Sequence, residues 1–217
     1  MGYDEVQSDA IQVLIMGMLI STSGFAITMT AILIGGTPGT GKTKIAKVLG
    51  SILHVEVISL GELAKESGCI SARDLARDTG IIDEDCLVDV IIPLVEDKSK
   101  RLIIEGHYID LVPSRSVERA FVLRTHPDVL RERLTTRGYK PEKIQENIEA
   151  EVLGVCQMDA IDAFREEKVF EIDTSKTSPP EVAELIEKMM REPPAPVRID
   201  WMEMLEHEGH LDDYLID

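Results

Sequence analysis

The stretch AITMTAILIGGTPGTGKTKIAK, from Ala26 to Lys47, decides how the chain folds. Within it, GTPGTGKT (Gly36 to Thr43) satisfies the pattern G-x-x-x-x-G-K-[ST] in full. The run AILIG in front of it has the composition of a buried strand, and TKIAKVLGSIL behind it reads as a helix. Strand, glycine-rich turn and helix, in that order, are what a phosphate loop requires. Gly39 and Gly41 admit backbone conformations and close approaches that a Cβ blocks. Successive N–H groups and the helix N-terminus then point at phosphate oxygens. Lys42 supplies charge to the β- and γ-phosphates, and the Thr43 hydroxyl is suited to ligate Mg²⁺.

Working outward, the N-terminal side poses a question of its own, because no charged residue occurs between Ala10 and Gly41. Residues 11–30 are long enough to span a bilayer. Against a tether stand the acidic Asp4, Glu5 and Asp9, where a leader carries basic residues. The polar Ser21–Ser23 and Gly24 also interrupt the run, and the strand follows with no linker. Residues 1–28 are therefore expected to be a dispensable extension or an artefact of an upstream start, with the working core beginning at Met29 and no membrane partner.

The chain has 217 residues, 44% of them apolar and 29% charged, which suits one compact domain. A net charge of −17 opposes non-specific binding to nucleic acid and anionic lipid. It leaves room for a basic protein partner or a local phosphate pocket. Cys69, Cys86 and Cys156 are odd in number and form no CxxC pair, so free thiols in a reducing, cytoplasmic setting are expected.

Downstream, strand-like segments at 54–59, 102–105, 119–124 and 169–173 alternate with helical ones, predicting an α/β P-loop fold with a parallel sheet flanked by helices. Ile144, Ile148, Val152 and Val155 form one predicted apolar stripe, and Val182, Leu185, Ile186 and Met189 another, behind a Ser178 cap and Pro179. In RLIIEGHY, the apolar strand ends on Glu105, where a P-loop protein places its magnesium-side acid, directly or through water. His107 projects toward the same cleft, to orient water or touch a phosphate. In FVLRTHPDVLRERLTTRGY, Arg133 and Arg137 share a helical face and can stabilise the charge of a moving phosphoryl group. Gly138 then lets the chain turn into a flap over 139–146.

Strand, phosphate loop, insert, carboxylate strand and arginine-rich lid form the layout of a nucleoside monophosphate kinase. Through GTPGTGKT, ISLGELAKE, IIDED, IIEGHY, FVLRT and RERLTTRGYKPEKIQENIEAE, the chain also resembles the adenylate kinase isoenzyme 6 family of archaea and eukaryotes, over roughly Met29 to Lys188. The resemblance implies a core over 29–192, an acceptor-nucleotide insert at 59–82 and a short lid at 136–146. It implies ATP contacts at Gly39, Gly41, Lys42, Thr43, Lys44 and Arg137, with Mg²⁺ accompanying ATP and AMP or another nucleoside monophosphate as acceptor. It also implies a role in late maturation of the small ribosomal subunit (16S rRNA), as an ATPase in transient contact with a basic small-subunit ribosomal protein.

Three departures from the family pattern stand out. Glu105 replaces the usual aspartate, with Gly106 beside it, and favours a water bridge to the metal. Lys65 replaces an arginine, losing a bidentate phosphate fork for which Arg73 or Arg77 is the expected compensation. SGCISARDLARDTG replaces a tyrosine- and acid-rich centre, leaving the acceptor base open.

After the prolines 193, 194 and 196, residues 193–217 read as an acidic appendage. Trp201, Met204 and Leu205, then Leu211, Tyr214 and Leu215, have the spacing of a helix docking back on the core, and the alternative is an acidic partner-binding tail. Two activities follow as expectations. One is phosphoryl transfer to AMP by Lys42, Arg133, Arg137, Thr43 and Glu105. The other is an assembly-factor ATPase in which His107 positions water and kinase activity is incidental.

Overall fold

The computed structural model describes residues 30–74 and 79–215. The expectations for residues 1–28 and for Arg77, and for the side chain of Arg73, lie outside the described residues.

Seven strands and eight helices are described. They are β1 (Ala31–Gly35), α1 (Lys42–Leu53), β2 (Glu56–Ser59), α2 (Leu60–Glu66), β3 (Ile70–Asp74), β4 (Thr79–Ile82) and α3 (Glu84–Glu96). There follow β5 (Leu102–Glu105), β6 (Val117–Arg124), α4 (Pro127–Thr136), α5 (Pro141–Val152), α6 (Val155–Phe164), β7 (Val169–Asp173), α7 (Pro179–Arg191) and α8 (Trp201–Glu208). The five core strands are parallel, in the order β2-β5-β1-β6-β7. A parallel sheet needs helical crossovers on its faces, so its strands are apolar throughout. β1 is fully buried, and Ile32 and Ile34 face one helical layer while Ala31 and Leu33 face the other. The chain passes from β1 outward to β2 and later returns to the opposite side at β6. The crevice above the carboxyl ends of β1 and β5 is thus the switch point at which such sheets bind ligands.

Residues 59–82 form α2 and the antiparallel hairpin β3–β4, a sheet separate from the main one. Here the cysteine expectation is overturned: Cys69 and Cys86 form a disulfide, with Cα atoms 5.5 Å apart. The hairpin folds back so that Cys69, just before β3, meets the first turn of α3, and Asp83 N–H donates to the Cys69 carbonyl at 3.0 Å. Sequence separation concealed a spatial neighbour. Cys156 is the free, buried thiol.

Three further expectations change. The flap is only the four-residue link 137–140, because Pro141 starts α5 at once. The apolar stripe stops at Val152, since Gly154 at φ 68° ends α5's direction and opens α6. Leu185 is exposed, and Ala183 takes its place beside Val182, Ile186 and Met189.

The C-terminal segment docks. Trp201, Leu205 and Tyr214 pack on Ile148 and Val152 of α5, and the Tyr214 hydroxyl donates to Asp128 at 2.8 Å. Residues through 215 therefore belong to the body rather than hanging from it. Among the described residues, no helix is long and apolar enough to cross a membrane.

Candidate active site

The phosphate loop is shaped by backbone geometry that only glycine accepts. Gly36, Gly39 and Gly41 lie at φ 132°, 103° and 103°, and a Cβ on Gly36 would meet the Leu123 carbonyl oxygen at 2.4 Å. Gly41 precedes α1, so free N–H groups at the helix start face the cleft. Lys42 folds back over the loop, its Nζ donating to the carbonyls of Gly36 at 2.7 Å and Thr37 at 3.0 Å. Enclosure of the ammonium lowers its pKa, while the nearby Glu105 and Glu151 carboxylates oppose that shift.

Glu105 closes β5, with Ile34 and Ser59 as its register partners on the flanking strands. It is only 3% exposed, and its Oε1 accepts a hydrogen bond from the Thr43 hydroxyl at 3.1 Å. These two oxygens fit Mg²⁺, which takes one or two protein oxygens and completes its shell with water and substrate phosphates. Among the described residues no group of three or more His, Cys, Asp or Glu side chains is arranged for a metal. His107 sits beside them, with Cys156 Sγ 3.2 Å from its Nδ1. Burial first, and then the charge of Lys42, lower its pKa, which keeps the imidazole neutral at pH 7.

Two clefts meet at the loop. The first, of about 410 Å³, is lined by Gly39, Gly41, Lys42, Thr43, Lys44, Glu105, His107 and Arg137, with Ser59, Glu62 and Lys65 of the insert forming the opposite wall. The second, of about 500 Å³, lies behind Gly39, Gly41 and Lys44, between Arg133, Val129, Thr174 and Pro179. All the sequence-predicted residues except Arg133 thus share the first cleft. Arg133 belongs to the second, with its Nη2 donating to the Thr174 carbonyl at 2.7 Å. Arg137 follows the last turn of α4 and lines both.

Sequence reasoning missed the layer behind the loop. Arg124 is 2% exposed and turns away from both clefts. It pairs with Glu151 at 2.9 Å and Glu171 at 3.1 Å and donates to the Ile199 carbonyl at 3.0 Å. A charged residue ending an apolar strand was the available signal, since a buried guanidinium demands carboxylate partners. Which carboxylates they are is set by tertiary packing.

The AAA domain family model matches residues 32–154. A Methanocaldococcus jannaschii protein named "Putative adenylate kinase" is 37% identical over 79% of this chain and 93% of its own length. The Saccharomyces cerevisiae protein named adenylate kinase isoenzyme 6 homolog FAP7 is 33% identical over 74% of this chain and 83% of its own. Shikimate kinase from Acinetobacter baumannii shares the fold at a TM-score of 0.56 and 15% identity, covering 77% of this chain and 97% of that one. Phosphate loop, strand order and these similarities converge: the chain belongs to the adenylate kinase isoenzyme 6 family, a group of P-loop proteins with the AAA-type core.

Proposed function

We propose that the protein transfers the γ-phosphate of Mg-ATP reversibly to AMP or a related nucleoside monophosphate. The observation that carries this reading is the meeting of two clefts at one phosphate loop, with an insert facing the loop across the first. The ATP nucleoside occupies the second cleft, beside Arg133 and Thr174. Its phosphates pass over Gly39–Lys44, and the acceptor lies against Ser59, Glu62 and Lys65. Thr43 and Glu105 would hold the magnesium that accompanies ATP, which would supply positive charge against the phosphates. Lys42 leaves the Gly36 and Thr37 carbonyls to follow the charge of the transferring group, and Arg137 closes on it from the link 137–140. An acceptor phosphate oxygen attacks the γ-phosphorus as the bond to the β-phosphate oxygen breaks. That acceptor is already anionic, so no general base is needed. Neutral His107 takes no proton and serves to orient.

The relatives' names support the kinase reading. A second reading is that the same site hydrolyses ATP to release a basic small-subunit ribosomal protein during late 16S rRNA maturation, in the cytoplasm. The net charge of −17 favours a basic partner, and His107 at the phosphate loop is placed to orient a water. The deciding experiment supplies Mg-ATP with and without AMP and follows ADP and free phosphate. AMP-dependent formation of ADP from both nucleotides, without free phosphate, supports the kinase. Phosphate release that ignores AMP and rises with the basic partner replaces it with the second reading.

A further inference from the structure

The loop residue Thr37 faces away from both clefts. Its side chain is 1% exposed, and its hydroxyl donates to Glu151 Oε2 at 2.6 Å. Glu151 lies on the last turn of α5 and is itself 1% exposed. Its other oxygen, Oε1, accepts from Arg124 Nε at 2.9 Å, from Thr125 N–H at 2.9 Å and from Trp201 Nε1 at 3.2 Å. Donors on both oxygens fix this buried carboxylate in one orientation. On the cleft side, the carbonyl of the same Thr37 accepts from Lys42 Nζ at 3.0 Å and from the Thr40 hydroxyl at 2.9 Å. One loop residue is therefore gripped from behind by Glu151 and from the front by the lysine that must leave it when phosphates arrive.

We propose that Glu151 is a positioning residue for the nucleotide phosphates, and that Trp201 of the C-terminal helix α8 holds it in place. While Lys42 rests on the loop, Thr37 is held by Glu151 through its hydroxyl and by Lys42 and Thr40 through its carbonyl. Once Lys42 turns to a phosphate, the bond to Glu151 remains and keeps the loop N–H groups aimed at the cleft. The C-terminal segment then acts on phosphate binding without touching nucleotide, through Trp201, Glu151 and Thr37 in sequence. This rests on the reading of the first cleft as a phosphate site, and not on which acceptor is used.

The test measures Mg-ATP affinity directly with a fluorescent ATP analogue, alongside AMP-dependent ADP formation, for the full chain. Thr37→Val removes the hydroxyl donor while leaving every Arg124 partner in place, so folding is preserved and is checked by a cooperative melt. Loss of one charge-assisted bond is expected to weaken Mg-ATP binding about tenfold, with the KM for AMP unchanged and with Thr37→Ser restoring affinity to within about twofold. Trp201→Phe, which keeps the ring and loses the donor, is expected to weaken Mg-ATP binding about threefold. The double variant is expected to fall short of the product, because both act through one carboxylate. Unchanged Mg-ATP affinity in Thr37→Val, an equal rise in the KM for AMP, or fully multiplicative effects would each overturn the proposal. A wild type that binds the analogue but forms no ADP from AMP removes the kinase reading and leaves this inference standing.

Discussion

The two walls of the first cleft are built in opposite ways. The phosphate loop is embedded: β1 before it is fully buried, Thr37 and Thr40 are each 1% exposed, and Gly36 has no room for even a methyl group. The insert over 59–82 carries a small sheet of its own. Among the described residues its hairpin strands pair with each other, and it is fastened by Leu60, Leu63 and Ala64 of α2, by Cys69, Ile70 and Ile82, and by the bridge to Cys86. On the proposed reading, the phosphate chemistry falls to the embedded wall. On the same reading, recognition of the acceptor falls to the insert, where two of the three departures from the family pattern lie. Damage to the loop should therefore abolish turnover, and damage to the insert should alter stability or acceptor affinity while sparing Mg-ATP.

The sharpest break in that contrast is Lys42→Ala. Removing the charge that follows the γ-phosphate should lower both AMP-dependent transfer and ATP hydrolysis by about a thousandfold, measured as single-turnover rates. Retention of either activity would mean that this loop is not the site. Next in size is Cys86→Ser, which opens the bridge at its half-buried end. Closing a loop of separation 17 is worth about 3 kcal/mol, so urea unfolding should shift by that order while Mg-ATP affinity stays within about twofold. A loss of Mg-ATP binding in the folded variant would show that the two walls are not independent.

A smaller and more local probe is Gly106→Ala. A Cβ at this position would lie 2.9 Å from the Leu60 Cβ, so α2 must shift where the insert begins. Overpacking of this kind costs about 1–3 kcal/mol. It should appear as a roughly tenfold rise in the KM for AMP, with Mg-ATP affinity unchanged. Equal changes for both nucleotides would place α2 on the ATP side of the cleft.

The same contrast explains what could be read from the sequence. The loop was legible because each residue type in Gly36–Thr43 answers a local demand, and β1 and α1 carry their periodicity beside it. Glu105 was legible for a similar reason, as a carboxylate ending an apolar strand. Cys69 and Cys86 were not, because their meeting depends on a hairpin whose strands have little alternation to announce them. Helical spacing alone points Arg133 at the moving phosphate. Its place in the second cleft follows from Thr174, which reaches it from a different strand end. Glu151 looked like one acid among many in an acidic helix. Only the packing of α5 against β6 and α8 shows that it serves Thr37, Arg124 and Trp201 together.

The smallest effect expected is a test of how dry the layer behind the loop is. Burial pushes the Cys156 thiol up to about 11, with the neighbouring Lys42 charge partly opposing it. In the unfolded chain the same thiol loses its proton near its ordinary value of 9.0. Between those two values the unfolded state binds fewer protons than the folded one, so stability falls as pH rises through the window and is unaffected below it. The slope is about 1 kcal/mol per pH unit at most. Urea midpoints at pH 8 and pH 10 should therefore separate more for the wild type than for Cys156→Ala, which has no proton to hold. Parallel shifts in the two proteins would mean that water reaches the thiol. The Thr37–Glu151 bond beside it would then lie in a wetter setting than its burial implies, and the loop would be less firmly held than the insert it faces.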